Sequence, residues 1–108
     1  MIKYKSENTS NEQIYKLMRS GDVEKVSDNV GYTGVPIDYV IYTQDDREGG
    51  EVTISALKFE DGKMVATNSA TFRSEIELMI DTFGRIPEIK IVSGTSKNGR
   101  KYVTAELA

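Results

Sequence analysis

The apolar residues change period several times along the chain, and each change marks an element. Ile14, Leu17 and Met18 recur at helical spacing behind Ser10, whose hydroxyl can cap the first turn with Gln13 as reciprocal partner. The spacing predicts a short helix over 10–19, ended by Gly21 in a left-handed conformation. Residues 1–8 show no period and read as extended or loose. Val23, Val26 and Val30 fit a helix poorly, so a short strand or irregular segment is expected near 24–27, with Gly31 and Gly34 bracketing a turn. From Ile37 to Thr43 the residues are β-branched and aromatic, which predicts a strand entered through Pro36. Ile37, Tyr39 and Ile41 fall on one face of it, Val40 and Tyr42 on the other.

Gln44 to Gly50 is a polar turn. Val52, Ile54 and Ala56 then alternate with Leu57 and Phe59 as a second strand. Asp61-Gly62 reads as a type I′ hairpin leading into a third strand over 63–67. The period lengthens again at 71–83, where Phe72, Ile76, Met79, Ile80 and Phe83 share a helical face, with Thr71 as cap and Gly84 as stop. Two more strands follow, 88–93 and 101–107, joined through an Asn98-Gly99 turn.

A three-strand meander, a helix and a two-strand hairpin is the element order of an OB-fold. The expected fold is mainly β with helices: a five-stranded OB-like barrel, a helix between strands three and four, and an extra N-terminal helix. An α+β open antiparallel sheet is the alternative. The chain of 108 residues suits one domain, 1–108, with 1–21 as N-terminal extension and helix and 22–108 as core.

Composition narrows the chemistry. There is no His and no Cys, so zinc sites built on them, disulfides and His-dependent triads are excluded. Asp45, Asp46 and Glu48 lack the ligand spacing of a calcium loop, and the remaining carboxylates form no pair on one element. A Ser96–Lys97 pairing carries no motif. The expectation is therefore a protein that is not an enzyme, without catalytic residues, metal or cofactor. No targeting segment or apolar span of about 18 residues is present, so a cytoplasmic location without membrane contact is expected.

Charge is unevenly placed. Residues 84–108 carry net +3 and residues 1–83 net −6, within a total of −3. The segment Ser93–Arg100 (SGTSKNGR) lacks the order of a P-loop. In an OB-type order it joins the last two strands, one of the loops that grip oligonucleotides. Lys90, Lys97, Arg100 and Lys101 would contact phosphates, Tyr42 and Tyr102 would stack bases, and Lys58 would add charge. A solvated hairpin tip is the plainer alternative for the loop, and core packing for each aromatic ring.

From about Val26 onward, the DNVG segment (Asp28–Gly31), the strand with its acidic loop, ATNSATF (Ala66–Phe72), the helix ending in Phe83-Gly84 and the final IKIVSGTSKNGRKYVTAEL stretch resemble small proteins of phages and mobile elements of Gram-positive bacteria. Some of these are single-stranded DNA-binding. The resemblance implies a role in DNA replication, recombination or strand protection, with binding through the loop cations and strand aromatics named above. The acidic N-terminal part with its own helix departs from that pattern. The alternative is a small phage-type protein that binds and modulates a host or phage protein through the 10–19 helix and the acidic loop. The charge asymmetry would also suit contact between two copies in a homo-oligomer.

Overall fold

In chain order the computed structural model, which describes residues 1–108, runs β1 (Ile2–Lys5), α1 (Asn11–Arg19), β2 (Glu24–Lys25), a 3-10 turn (Val26–Asn29), β3 (Thr33–Gly34), β4 (Pro36–Asp45), β5 (Glu51–Phe59), β6 (Met64–Thr67), α2 (Ala70–Phe83), β7 (Ile89–Thr95) and β8 (Lys101–Leu107). One sheet has the order β1-β4-β5-β6-β2 and a second the order β3-β7-β8. All pairs are antiparallel except β2 with β6. The architecture is α+β with open sheets, not a closed barrel. The barrel seam would lie between β6 and β8, but β2 occupies the β6 edge there, pairing Glu24 with Val65 and Lys25 with Ala66.

Burial on both faces of the larger sheet explains why β4 shows no clean alternation. Tyr39, Ile41, Leu57, Phe59 and Val65 point inward to α2 and the smaller sheet, where Phe72, Ile76, Ile89 and Ile91 complete the main core. Val40, Tyr42 and Ala56 point outward and are covered by Ile14 and Leu17 of α1. Burying Ile14 and Leu17 holds a nine-residue helix too short to persist alone. Of the extended and loose readings of the first residues the extended one holds for Ile2–Lys5: they form the edge strand β1, whose alternating Lys3 and Lys5 are typical of an edge that resists further pairing.

Caps and turns depart from expectation in specific ways. Ser10 does cap α1, accepting the Gln13 N–H at 3.2 Å, but the Gln13 side chain accepts from Lys58 instead of returning to the cap. The helix ends at Ser20 in extended backbone, not at Gly21. Ser69, not Thr71, caps α2 by accepting the Phe72 N–H, and Gly84 closes it at φ +72. No residue other than glycine has positive φ, so the Asp61-Gly62 hairpin is not type I′, which needs two such residues. Gly62 N–H donates to Phe59 O, and Phe59 N–H to Lys63 O, which is a type I turn closed by one left-handed glycine. The same pattern recurs at Asp46–Gly49 and Ser96–Gly99.

The chain passes from the smaller sheet into the larger at Val35, between β3 and β4. Glu60 N–H donates to Val35 O at 3.0 Å, and the Phe59 ring covers Gly34 so closely that a β-carbon there would lie 2.8 Å from Phe59 Cδ1. Tyr32 packs edge-on against Phe59, ring centroids 4.8 Å apart. Its hydroxyl donates to the Asp61 carboxylate. Beside it Lys63 Nζ lies 5.3 Å from the Tyr32 centroid and pairs with Glu24 at 3.2 Å. The 22–34 segment is thereby pinned to the β5–β6 hairpin.

This pin should carry a pH signature. The Tyr32 hydrogen bond is the main cause holding the Asp61 carboxyl below its ordinary value, while burial and then Asp61 push the Tyr32 phenol up to about 12. A depressed carboxyl stabilises the fold above its unfolded pKa, and that contribution is lost as pH falls through the folded value. A raised phenol stabilises below its unfolded pKa of about 10, and that contribution is lost as pH rises toward its folded value. Tyr32→Phe should therefore melt below wild type at neutral pH, and the gap should narrow both below about pH 4 and above about pH 10. Thermal melts across that range check it; a gap independent of pH would separate the pin from these titrations.

Candidate nucleic-acid interface

The β7–β8 hairpin projects the densest run of cations in the chain. Its tip turn is closed by Gly99 N–H to Ser96 O at 2.9 Å, and Ser96 Oγ accepts the Arg100 N–H at 3.2 Å. Lys97, Arg100 and Lys101 are exposed. The two ion pairs within 4 Å are Lys63–Glu24 and Arg73–Glu77, so all three hairpin cations are free. Lys90 is also exposed, but it stands opposite Glu106 near the other end of the hairpin.

Register fixes which side chains share a face. Lys90, Gly94 and Tyr102 lie on one face of the hairpin, and Ser93, Lys101 and Val103 on the other, which continues from the core. Tyr102 stands directly across from Gly94, and its ring covers that glycine, filling the space of the missing side chain. The ring remains 38% exposed. Packing against bare backbone presents an aromatic ring at the surface without committing it to the core.

Beside this ring an open groove of about 610 Å³ runs between the hairpin and the β6–α2 corner, with Ser27, Asn68, Ser69, Ser93 and Lys101 among its lining residues. No carboxylate lines it. Ser69 Oγ donates to Val103 O at 3.2 Å, tying the corner to β8. Ser27, Asn68 and Ser69 were not expected at a site. For Asn68 and Ser69 the signal was the run of small polar residues around the α2 cap, which reads as capping alone until the groove brings it against β8; Ser27, in the 3-10 turn, carried none.

Three expected contributors are not assembled here. Tyr42 is 5% exposed beneath α1, its hydroxyl donating to Met18 O at 3.4 Å and its phenol pushed up mainly by burial. It is a core residue and cannot stack an incoming base. Lys58 lies on the outer face of the larger sheet, where its Nζ donates to Gln13 Oε1 at 3.5 Å, and it lines a groove with α1 instead of the hairpin. Lys90 shares the hairpin with Tyr102 but sits away from the tip. Lys97, Arg100, Lys101 and Tyr102 share the tip end of one hairpin, with Lys101 on the face opposite Tyr102 and both lining the groove at the β8 edge.

The acidic loop serves its own turn. Asp46 Oδ1 accepts the N–H groups of Glu48 and Gly50, both at 2.9 Å. No group of three or more acidic side chains converges as a metal site, and no helix is long and apolar enough to cross a membrane. No protein-family model, curated protein or solved structure matches the chain.

The contrast between the two tyrosines is measurable. Tyr42→Ala should cost about 3–5 kcal/mol by opening a cavity beneath α1. Tyr102→Ala should cost only about 0.2–1 kcal/mol, the range of a cross-strand pair. Urea denaturation of both variants checks this, and equal losses would mean that the Tyr102 ring is part of the core.

Proposed function

We propose that the protein binds single-stranded nucleic acid, specifically single-stranded DNA in the replication or recombination of a phage or mobile element. It acts by binding, not catalysis. The observation that carries the reading is the half-open Tyr102 ring on Gly94, on a hairpin that bears unpaired Lys97, Arg100 and Lys101 and borders a groove free of carboxylates. Phosphates meet the cations, and a base stacks on the ring. Ser27 and Asn68 offer the groove side of the strand hydroxyl and amide hydrogen bonds.

Topology supports the same reading. Followed through the Val35 corner, the strands run β6-β5-β4 and then β3-β7-β8, the order of an OB-type barrel with the β6–β8 seam unzipped. In that order the β7–β8 turn is the loop expected to grip an oligonucleotide, and α2 lies between the third and fourth barrel strands. The resemblance to small single-stranded DNA-binding proteins of mobile elements points the same way.

Fluorescence anisotropy with labelled oligothymidylate tests the proposal. Three phosphate contacts give a slope of log K against log salt of about −2 for a single strand. Lys97→Glu with Arg100→Glu should abolish binding, and Tyr102→Ala should weaken it by about 1–3 kcal/mol. Absence of binding by wild type at low salt and micromolar protein would refute the proposal. Undiminished binding by the charge-reversed variant would move the site elsewhere.

A further inference from the structure

A second cationic groove, of about 510 Å³, lies on the outer face of the larger sheet between α1 and the ends of β5 and β6 at Lys58 and Met64. Lys16 and Arg19 enter it from α1 and Lys58 from β5, against the single carboxylate of Asp22. None of the three cations is ion-paired within 4 Å, and Lys58 makes only its long hydrogen bond to Gln13. Tyr15, also lining the groove, is 67% exposed, an aromatic ring left in water on a helix whose apolar stripe is otherwise buried. Cations in excess of counter-charge beside an open ring resemble the chemistry of the hairpin, on a helix the barrel topology does not include.

The two places lie along the same strand. Met64 of β6 lines the α1 groove, and Ala66, next on the same face, lines an adjoining groove with Lys25, Gln44 and Ile54. That middle groove in turn shares Ser27, Thr67 and Asn68 with the groove beneath Tyr102. Three grooves thus succeed one another along β6 between Lys58 and Lys101, the first sharing no lining residue with the second, and Lys25 is the charged residue lining the middle one.

Resting on the single-strand reading, we infer that α1 provides a second phosphate-binding station for the same strand: Lys16, Arg19 and Lys58 hold its backbone, and Tyr15 stacks a base. The N-terminal helix thereby lengthens the site beyond the hairpin. A short oligonucleotide fills the hairpin station alone, whereas a long one occupies both.

The test compares labelled oligothymidylates of about six and about thirty nucleotides, lengths chosen to fall within and beyond the site of one such module. The variants are Lys16→Gln/Arg19→Gln/Lys58→Gln and, separately, Tyr15→Ala, each confirmed folded by an unchanged melting temperature. The triple variant should bind the long probe at least about tenfold more weakly, with a salt slope shallower by about 2, and the short probe as wild type does. A long probe carrying 5-iododeoxyuridine should photo-crosslink to Tyr15, and the short one should not. Long-probe affinity and slope equal to wild type in the triple variant would overturn the inference while leaving the hairpin site standing. So would displacement of the long probe from Tyr15, but not from the hairpin, by polyglutamate, which would assign the groove to an acidic protein segment. Failure of wild type to bind either length removes the hairpin reading and this inference together.

Discussion

The packing of Phe59 against Gly34 is the contact on which the relation between the two sheets depends. A β-carbon at position 34 would collide with that ring, so only a bare backbone lets β3 run beneath it and turn at Val35 into β4. Three things meet at this corner: the start of the long strand, the end of β5, and the edge-on ring of Tyr32. Because β3 pairs with β7 on one side of the turn and β4 with β5 on the other, the corner also sets where the basic hairpin stands relative to the larger sheet. The groove beneath Tyr102, lined from both sheets, inherits its shape from that relation.

Much of the element order was legible in the sequence because each element carries its own period and punctuation. The 37–43 and 52–59 runs, the 71–83 stripe and the glycine-marked turns are all local signals. What escaped is non-local. β1 has no alternation of its own and is a strand only because β4 offers an edge. A short strand near 24–27 was expected, but not its partner: β2 is two residues long and pairs only with β6. The open seam follows from that pairing, and no pattern within residues 22–34 announces it. Tyr42 shows the same limit at a single residue: its polar neighbours suggested exposure, but a helix from elsewhere in the chain lies over it.

The site divides along the same line. Lys97, Arg100 and Lys101 were readable as a cluster because a hairpin keeps sequence neighbours together. Tyr102 was readable as a candidate ring, whereas its seat on Gly94 needed the strand register. Lys58 was named for its charge, but only the fold brings it to Lys16 and Arg19, some forty residues distant in the chain. Charge therefore distributes differently in space than along the sequence. The basic C-terminal quarter is one pole, and a second gathers cations from the acidic part.

The shared turn at the three hairpin tips has an evolutionary corollary. Each is closed by a single left-handed glycine (Gly49, Gly62 and Gly99), and its two central positions keep ordinary backbone angles open to nearly any side chain. Those positions hold Arg47-Glu48, Glu60-Asp61 and Lys97-Asn98, one neutral pair, one doubly negative and one positive. Shape and charge are thus separately heritable at the Gly49 and Gly99 tips, whereas at the Gly62 tip Asp61 is tied to the scaffold by Tyr32. A lineage could retune what the first and third hairpins attract by exchanging two residues, with no change to the scaffold that carries them.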